Sequence, residues 1–134
     1  MIRVINDQEV PETKTACGPM RVLTNESHTA KVNLSELRAT QNSQPHYHGW
    51  TTEIYRVRSG SGSIRVQELG ESRRDIPVTA GTILVIEPRT IHQVRPGPGS
   101  CSYLLIEVIA VPAWAKVDEH YLLPEKEAAF NAAL

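Results

Sequence analysis

Short runs of apolar and β-branched residues alternate with turn residues along most of the chain. Val, Ile, Thr and Tyr are frequent in the runs, and clusters of Gly, Pro, Asn and Ser interrupt them. Short strands with turn signals about every ten residues are typical of an antiparallel barrel or sandwich. The pattern therefore predicts an all-β protein, with strands at residues 21–23, 29–34, 44–48, 53–59, 62–67, 75–79, 82–86, 92–94 and 101–111.

Only the C-terminal end of the chain has a helical pattern. Residues 124–134, PEKEAAFNAAL, place Pro at the first helical position and follow it with Glu, Lys and Ala, which favour helix. We expect a short helix that packs outside the barrel, whose core should span about residues 20–111. The N-terminal residues before 21 have no clear pattern, and PGPGS at 96–100 is short enough for a hairpin loop.

Length and charge limit the classes of protein that fit this pattern. The chain has 134 residues, so we expect a single domain over 1–134 with a sizeable core. With 14 Lys and Arg against 15 Asp and Glu, it has no positive field of the kind that binds nucleic acid. No signal peptide or long apolar run is visible, so we expect a cytoplasmic protein without membrane contact. Cys17 and Cys101 form no CxxC pattern and are expected to be reduced thiols.

Two histidines on one predicted strand are the first candidates for chemistry. His46 and His48 are two residues apart, and residues i and i+2 of a strand point to the same face. The turn-like residues 49–52 follow, and Glu53 begins the next predicted strand. A hairpin at this turn would fold the Glu53 carboxylate back toward the two imidazoles. The spacing therefore predicts three side chains around one point.

The strand that starts at Glu53 predicts that this carboxylate is buried. Glu53, Tyr55 and Val57 share one face of the strand, while arginines lie on the opposite face. A buried carboxylate without a partner is costly, and a bound cation removes that cost. His92, which follows an apolar strand and a Pro-containing turn, supplies a further nitrogen. Three imidazoles and one carboxylate predict a site for one divalent transition metal per chain.

Two segments of the chain resemble the two motifs of the cupin family. HYHGWTTEIYRVRSG, residues 46–60, has the spacing of the first motif: two His separated by one residue, then four residues, a Glu, six residues and a Gly. GTILVIEPRTIHQVRP, residues 81–96, resembles the second motif through its first Gly and His92. Three positions depart from the second motif: Glu87 stands in place of Pro, Arg89 in place of Gly and Pro96 in place of Asn.

The resemblance implies a jelly-roll barrel, or double-stranded β-helix, with a metal inside one mouth and commonly a homodimer. It implies that the metal ligands are His46, His48, Glu53 and His92. Cupins include dioxygenases, sugar isomerases and epimerases, decarboxylases, storage proteins and ligand-sensing domains, so the family does not imply one reaction. The apolar residues 103–111 agree with a strand covered on both faces, either by a second subunit or by a helix.

The predicted ligand set limits the chemistry of the site. Four protein ligands leave an octahedral ion two free positions, and one carboxylate leaves a divalent ion a net positive charge that attracts oxygen-rich anions. We expect a dioxygenase-type oxidoreductase acting on an oxygen-rich organic acid or diketone-like compound. A sugar or sugar-phosphate isomerase or epimerase and a non-catalytic ligand-binding or sensing domain stay open. The ligand set accepts Fe, Mn, Ni, Zn or Cu and does not distinguish them.

Three further residues are candidates for contact with a small-molecule substrate. Tyr55 shares the face of Glu53 and could serve as a proton donor, although barrels also use aromatic residues as filling. Trp50, in the loop between His48 and Glu53, could line or close the mouth of the barrel. Arg89, in a turn at the same mouth, could bind a phosphate or another anionic group of the substrate.

Overall fold

The computed structural model describes residues 1–15, 17–98 and 102–134. Within these residues the chain forms ten β-strands, one α-helix and two 3-10 helices, at Asp7–Glu9 and Lys116–Asp118. The strands are β1 (Thr13–Thr15), β2 (Gly18–Val22), β3 (Asn33–Ala39), β4 (His46–His48), β5 (Thr52–Gln67), β6 (Arg74–Thr79), β7 (Ile83–Ile86), β8 (Ile91–Pro96), β9 (Leu104–Val111) and β10 (Glu119–Tyr121), and the helix is α1 (Pro124–Asn131).

The strands pair in one curled antiparallel sheet. Its order is β1-β2-β3-β9-β5-β8-β4-β10, and β6 and β7 also pair with β5. The first half of β5 pairs with β9 and β7, and its second half pairs with β8 and β6. Because one strand belongs to both parts, the sheet folds over on itself as a half-barrel. The predicted all-β jelly-roll class with one short C-terminal helix is confirmed.

A bend in β5 joins two strands that the sequence predicts separately, at 53–59 and 62–67. The pairing of β5 with β9 shifts after Val57 through a β-bulge, and Gly60 has a φ of 88°. A Cβ at Gly60 would lie 1.9 Å from the carbonyl oxygen of Tyr103, so glycine is required there. The prediction of two strands is wrong because Gly60 and the bulge bend the strand instead of ending it.

The two faces of β5 follow the alternation of the sequence. Tyr55 and Val57 point into the core and are buried, as predicted. Arg56 and Arg58 lie on the outer face, where they pair with Glu107 of β9 at 3.8 and 3.5 Å. The hydrophobic core consists of Cys17, Met20, Leu37, Ala39, Tyr55, Val57, Ile64, Val66, Val78, Ile86, Val94, Leu104, Ile106 and Val108.

An apolar row crosses the outer face of the sheet. The register aligns Leu34 of β3 with Ile109 of β9, Ile109 with Ile54 of β5, and Ile54 with Val85 of β7. Val85 is exposed and the other three side chains are half-buried. The helix α1 is anchored away from this row, because its C-terminal carbonyl groups accept hydrogen bonds from Arg65 in the second half of β5, whereas Ile54 lies in the first half.

The chain before β4 differs from the prediction. β1 and β2 form a hairpin, and β2 begins three residues before the strand predicted at 21–23, in a stretch where the sequence has no clear pattern. The strand predicted at 29–34 lies later, at β3, because the preceding residues form turns. Asn25 accepts hydrogen bonds from the N–H of Ser27 to its side chain and from the N–H of His28 to its carbonyl oxygen. The turn chemistry of Asn and Ser outweighs the strand propensity of this stretch.

The end of the chain differs as well. β10 pairs with β4, and the sequence does not predict this strand. The predicted helix 124–134 ends at Asn131, and the predicted strand 101–111 begins at Leu104. Cys101 and part of the loop 96–100 lie outside the described residues. In the part of the chain that the structure describes, no helix is long and apolar enough to cross a membrane.

Candidate metal centre

Three strands bring the four predicted ligands together. β4 carries His46 and His48 on one face, and β8 places His92 directly opposite His46. Glu53 is the second residue of β5. One ligand atom from each side chain lies within 4.8 Å of the others, and all four side chains are buried. The donor types and their spacing are those of a site for a single metal ion.

The loop between β4 and β5 is not a hairpin. β4 pairs with β8 and β10, whereas the first half of β5 pairs with β9 and β7. The loop therefore crosses from one part of the half-barrel to the other. The predicted hairpin is wrong, but the crossing brings Glu53 to the same point because both strands face one interior.

Asp118, which is fully buried, holds this loop in place. Its carboxylate accepts hydrogen bonds from the backbone N–H groups of Gly49 (2.7 Å), Trp50 (3.1 and 3.2 Å) and Thr51 (3.2 Å). A Cβ at Gly49 would lie 2.7 Å from Asp118 Oδ1, so the carboxylate can approach only because this residue is glycine. Asp118 thus fixes the backbone between the second His and the Glu of the cluster.

Backbone carbonyl groups orient two of the imidazoles. His46 Nδ1 lies 3.0 Å from the carbonyl oxygen of Gln44, and His92 Nδ1 lies 2.9 Å from that of Thr90. A carbonyl oxygen only accepts, so each Nδ1 carries the proton and each Nε2 presents a lone pair. Contacts of this kind orient metal-binding imidazoles in proteins. Nε2 of both residues is therefore ready to coordinate.

The Glu53 carboxylate lies at the centre of the cluster. Its Oε1 is 2.9 Å from His92 Nε2 and 3.3 Å from His48 Nε2, but these three buried atoms have no hydrogen-bond partner. Its Oε2 accepts a hydrogen bond of 3.0 Å from Trp114 Nε1. Buried polar atoms without partners are costly, and a cation among them would remove the cost. The unpartnered atoms therefore fit a bound metal ion.

The protonation states of the cluster also suit a metal. Burial raises the pKa of Glu53, but the adjacent imidazoles of His48 and His92 outweigh it and hold this pKa well below its usual range. Burial and the neighbouring His46 lower the pKa of His92, which favours its neutral form. An ionised carboxylate and neutral imidazole are the forms that bind divalent metals.

A cavity of about 520 Å³ reaches the cluster. His46, His48 and Glu53 contribute to its lining. Small-molecule sites have volumes of roughly 300–1,000 Å³, so the cavity can hold an organic ligand against the cluster. The rest of its lining consists of the polar residues Lys14, Thr15, Lys116, Glu119 and Tyr121 and the less polar residues Cys17, Met20, Val22, Trp114 and Ala115.

Tyr55, Trp50 and Arg89 are not part of this lining. Tyr55 is buried with its ring nearly perpendicular to that of His92, at 6.0 Å between ring centroids, and burial raises the pKa of its phenol. Trp50 is 51% exposed because its loop turns its backbone, not its indole, inward. Arg89 is exposed with a φ of 66°, and its N–H donates to the carbonyl oxygen of His48 at 2.7 Å. The turn at Arg89 thus keeps the positive φ that glycine usually provides.

Several cavity residues have no signal in the sequence. Cys17 lies in the turn between β1 and β2, and its Sγ is 3.6 Å from His46 Nε2. Burial, followed by the charge of Glu53, raises the pKa of the Cys17 thiol. The others follow β9, and the pairing of β10 with β4 could have revealed them because it lays this segment beside the His pair. These residues are Trp114, Glu119 and Tyr121, and Asp118 lies in the same segment but outside the lining.

No protein-family model matches the chain, and no curated protein sequence matches it. Solved structures share its fold. A protein from Planctomyces limnophilus has a TM-score of 0.72 at 21% identity, over 90% of this chain and 97% of its own. The nucleoside dehydratase Pac13 from Streptomyces has a TM-score of 0.73 at 14% identity, over 91% and 92%. The polyketide cyclase RemF from Streptomyces resistomycificus has a TM-score of 0.71 at 21% identity, over 92% and 87%.

Proposed function

We propose that this chain is a divalent-metal-dependent enzyme of the cupin type, acting on a small oxygen-rich organic acid or diketone-like compound. The observation that carries the proposal is the meeting of four buried donor atoms beside a cavity of about 520 Å³. Structural metal sites are closed, whereas three of these four residues line a space large enough for a small molecule. The site therefore suits an ion that also contacts a ligand.

Two observations support the cupin assignment. The spacing of His and Glu in residues 46–60 resembles the first motif of that family. The half-barrel places these side chains inside, as the resemblance implies. Two proteins with the same fold are named as a nucleoside dehydratase and a polyketide cyclase, which are both enzymes. Because one fold hosts many reactions, the reaction itself has to be argued from the site.

The ligand set and its supporting residues favour the dioxygenase type. A divalent ion bound here would supply Lewis acidity and, if it is redox-active, electrons for reaction with dioxygen. Four protein ligands leave two of six octahedral positions, the number that one substrate oxygen and dioxygen require. Trp114 orients the Glu53 carboxylate, and Asp118 holds the loop that leads to it. The chain thus keeps its ligands rigid while the cavity side stays accessible.

Glu119 and Tyr121 favour a second candidate, a sugar or sugar-phosphate isomerase or epimerase. Both residues line the cavity from β10. Burial and the neighbouring Glu119 raise the pKa of the Tyr121 phenol, so the phenol stays protonated at neutral pH but is a weaker acid than an ordinary tyrosine. A carboxylate base and a phenol acid are the groups that an enolisation needs. Lys14 and Lys116 on the same cavity could contact a phosphate.

Oxygen consumption separates these candidates. Protein loaded with Fe(II), Mn(II) or Zn(II) is mixed with organic acids, diketones and sugar phosphates, and dissolved oxygen and isomer composition are followed. A dioxygenase should consume oxygen when loaded with Fe(II) but not when loaded with Zn(II). Glu53→Gln should abolish this oxygen consumption. Glu107→Gln, which changes the outer face of β9, should leave it unchanged. Isomerisation without oxygen, lost in Glu119→Gln, would support the second candidate. Ligand binding without turnover would indicate a non-catalytic domain.

We also propose that the chain forms a homodimer through the apolar row Leu34, Ile54, Val85 and Ile109. Neighbouring strands carry these residues in register, and no described helix covers them. Contiguous apolar surface of this kind is typical of subunit contacts. Sedimentation velocity should give the mass of a dimer for the wild type and of a monomer for Val85→Lys. A monomeric wild type would contradict the proposal.

A further inference from the structure

We infer that the ligand of the cavity is an organic acid with a substantial apolar body, such as an aryl- or alkyl-substituted 2-hydroxy or 2-oxo acid. The inference rests on the proposed metal function and names its ligand class. The walls of the cavity, its charge and the position of its polar groups carry the argument. Acids made almost entirely of carboxyl groups are not the class that this cavity favours.

The walls of the cavity are largely hydrocarbon and aromatic. β2 contributes Met20 and Val22, and the segment after β9 contributes Trp114 and Ala115. Val22 and Trp114 pack against the core on one side and remain partly exposed. Apolar surface that faces water in a cavity is stabilised when a ligand covers it with apolar surface of its own. A ligand with a ring or branched chain would therefore gain free energy at these walls.

The polar part of the lining consists of the metal cluster and of Lys14, Thr15, Lys116, Glu119 and Tyr121, whereas the apolar part comes from β2, the turn before it and the segment that begins at Trp114. His46, His48 and Glu53 form the part of the lining that belongs to the metal cluster. In small-molecule sites, apolar walls usually bury the body of the ligand while a few polar groups fix its orientation. The oxygen atoms of the ligand therefore belong at the cluster. Its apolar body then lies along the hydrocarbon part of the lining.

The charges around the cavity favour an anion. Lys14 and Lys116 balance Glu53 and Glu119, so a divalent ion would leave the cavity with its full double positive charge. Neither lysine takes part in an ion pair with the residues that the structure describes. A neutral apolar compound would leave this charge uncompensated, and a carboxylate would compensate it. The cavity thus selects for a negative head group as well as an apolar body.

Calorimetric titration with two acids that share one head group tests the apolar part. Lactate and 3-phenyllactate both present a 2-hydroxy carboxylate and differ by one phenyl ring. We expect Zn(II)-loaded protein to bind 3-phenyllactate about tenfold more tightly than lactate, or better, because the ring covers the apolar wall. Equal affinities would overturn the inference. Failure of both acids to bind the Zn(II)-loaded protein would overturn it as well.

A pair of matched variants locates the preference on the wall. Val22→Thr keeps a β-branched side chain on β2 but replaces a methyl group of the cavity lining with a hydroxyl. We expect the ratio of the two affinities to fall several-fold while the affinity for lactate is unchanged. Val32→Thr makes the same change at an exposed residue outside the lining and should leave the ratio as in the wild type. The same ratio of 3-phenyllactate affinity to lactate affinity in Val22→Thr and in Val32→Thr would contradict the inference.

Charge and metal are tested separately from the wall. Lys116→Gln should weaken both acids by a similar factor at low salt, and Lys31→Gln, at an exposed residue outside the lining, should not. Zn(II) uptake is measured first by mass spectrometry, and a wild type without uptake would refute the proposed metal function. The titration is then run on metal-free protein, where both acids should bind much more weakly, and undiminished binding of either acid would overturn the placement of the head group at the cluster.

Discussion

Removal of the Asp118 carboxylate should loosen the backbone that joins two of the proposed metal ligands. This carboxylate accepts from the N–H groups of Gly49, Trp50 and Thr51 at 2.7 to 3.2 Å. Hydrogen bonds to charged groups contribute about 1.5–3 kcal/mol each. Water can replace the acceptor at the outer part of the loop but not at buried Thr51. We therefore expect Asp118→Ala to lower the free energy of unfolding by about 3 kcal/mol.

The same change should weaken metal binding. Among the described residues, Asp118 forms no hydrogen bond or ion pair with the four ligands, but it fixes the loop between His48 and Glu53. Loss of such supporting contacts commonly lowers metal affinity about 10- to 100-fold. Urea unfolding of the metal-free protein measures stability, and competition with a coloured chelator measures Zn(II) affinity. Asp7→Ala, at an exposed aspartate, is the control and should change stability by no more than about 0.5 kcal/mol.

Gly49→Ala provides an independent test of the same contact. The new Cβ would lie 2.7 Å from Asp118 Oδ1 and would displace the carboxylate. This variant should therefore weaken Zn(II) binding as Asp118→Ala does. In the Asp118→Ala background the substitution should have little further effect, because the group that it displaces is gone. Fully additive effects, or wild-type metal affinity in Asp118→Ala, would refute the reasoning.

Three further variants test single contacts. Trp114→Phe removes the indole donor to Glu53 and should lower Zn(II) affinity about tenfold in the chelator competition. Arg65→Lys breaks the two-point contact with Asp75 and the bonds to the carbonyl groups at the end of α1, and should lower the free energy of unfolding by about 2 kcal/mol in urea. Asp75→Asn should lose stability at pH 7 but approach the wild type in acid, as unfolding at several pH values will show.

The sign of the pH effect follows from the ion pair. Arg65 holds the pKa of Asp75 below its ordinary value of 3.8, so ionisation of this carboxyl favours the folded state. The contribution of the Asp75 carboxylate to the free energy of unfolding is complete above pH 3.8 and is lost as the pH falls through the folded-state pKa. A constant difference between Asp75→Asn and wild type across this range would contradict the assignment. Unchanged Zn(II) affinity in Trp114→Phe would contradict the role of the indole donor. Unchanged stability in Arg65→Lys would contradict the role of the contacts made by Arg65.

Local sequence patterns predict the parts of this fold that depend on neighbouring residues. The alternation along β5 predicts that Glu53, Tyr55 and Val57 face inward, and the structure agrees. The spacing of His46 and His48 predicts one shared face, and both side chains are buried in the cluster. The shared faces follow from strand geometry alone. The meeting of Glu53 and His92 with the His pair was instead predicted from a hairpin that the structure does not have and from the resemblance of residues 46–60 and 81–96 to two family motifs.

The features that the sequence does not predict depend on contacts between distant segments. Nothing local in WAKVDEHY distinguishes the buried Asp118 from an exposed acid, because its partners lie at 49–51. The bend of β5 at Gly60 depends on the approach of Tyr103, and the strand β10 exists only through its pairing with β4. The sequence also predicts Trp50 and Arg89 at the mouth of the barrel, but neither lines the cavity. The backbone of Trp50 is held by Asp118, and the backbone of Arg89 donates a hydrogen bond to the carbonyl oxygen of His48.

The metal content of the purified protein shows whether the four buried donor side chains bind an ion. Untagged wild type, Glu53→Gln and Glu119→Gln are analysed by mass spectrometry, and circular dichroism checks that each is folded. Both glutamates line the cavity, but only Glu53 belongs to the cluster of donor atoms. We expect about one divalent transition-metal ion per chain in the wild type and in Glu119→Gln, and much less in Glu53→Gln. A wild type that binds little metal after reconstitution, or a Glu53→Gln variant that retains it fully, would show that these side chains are not a metal site.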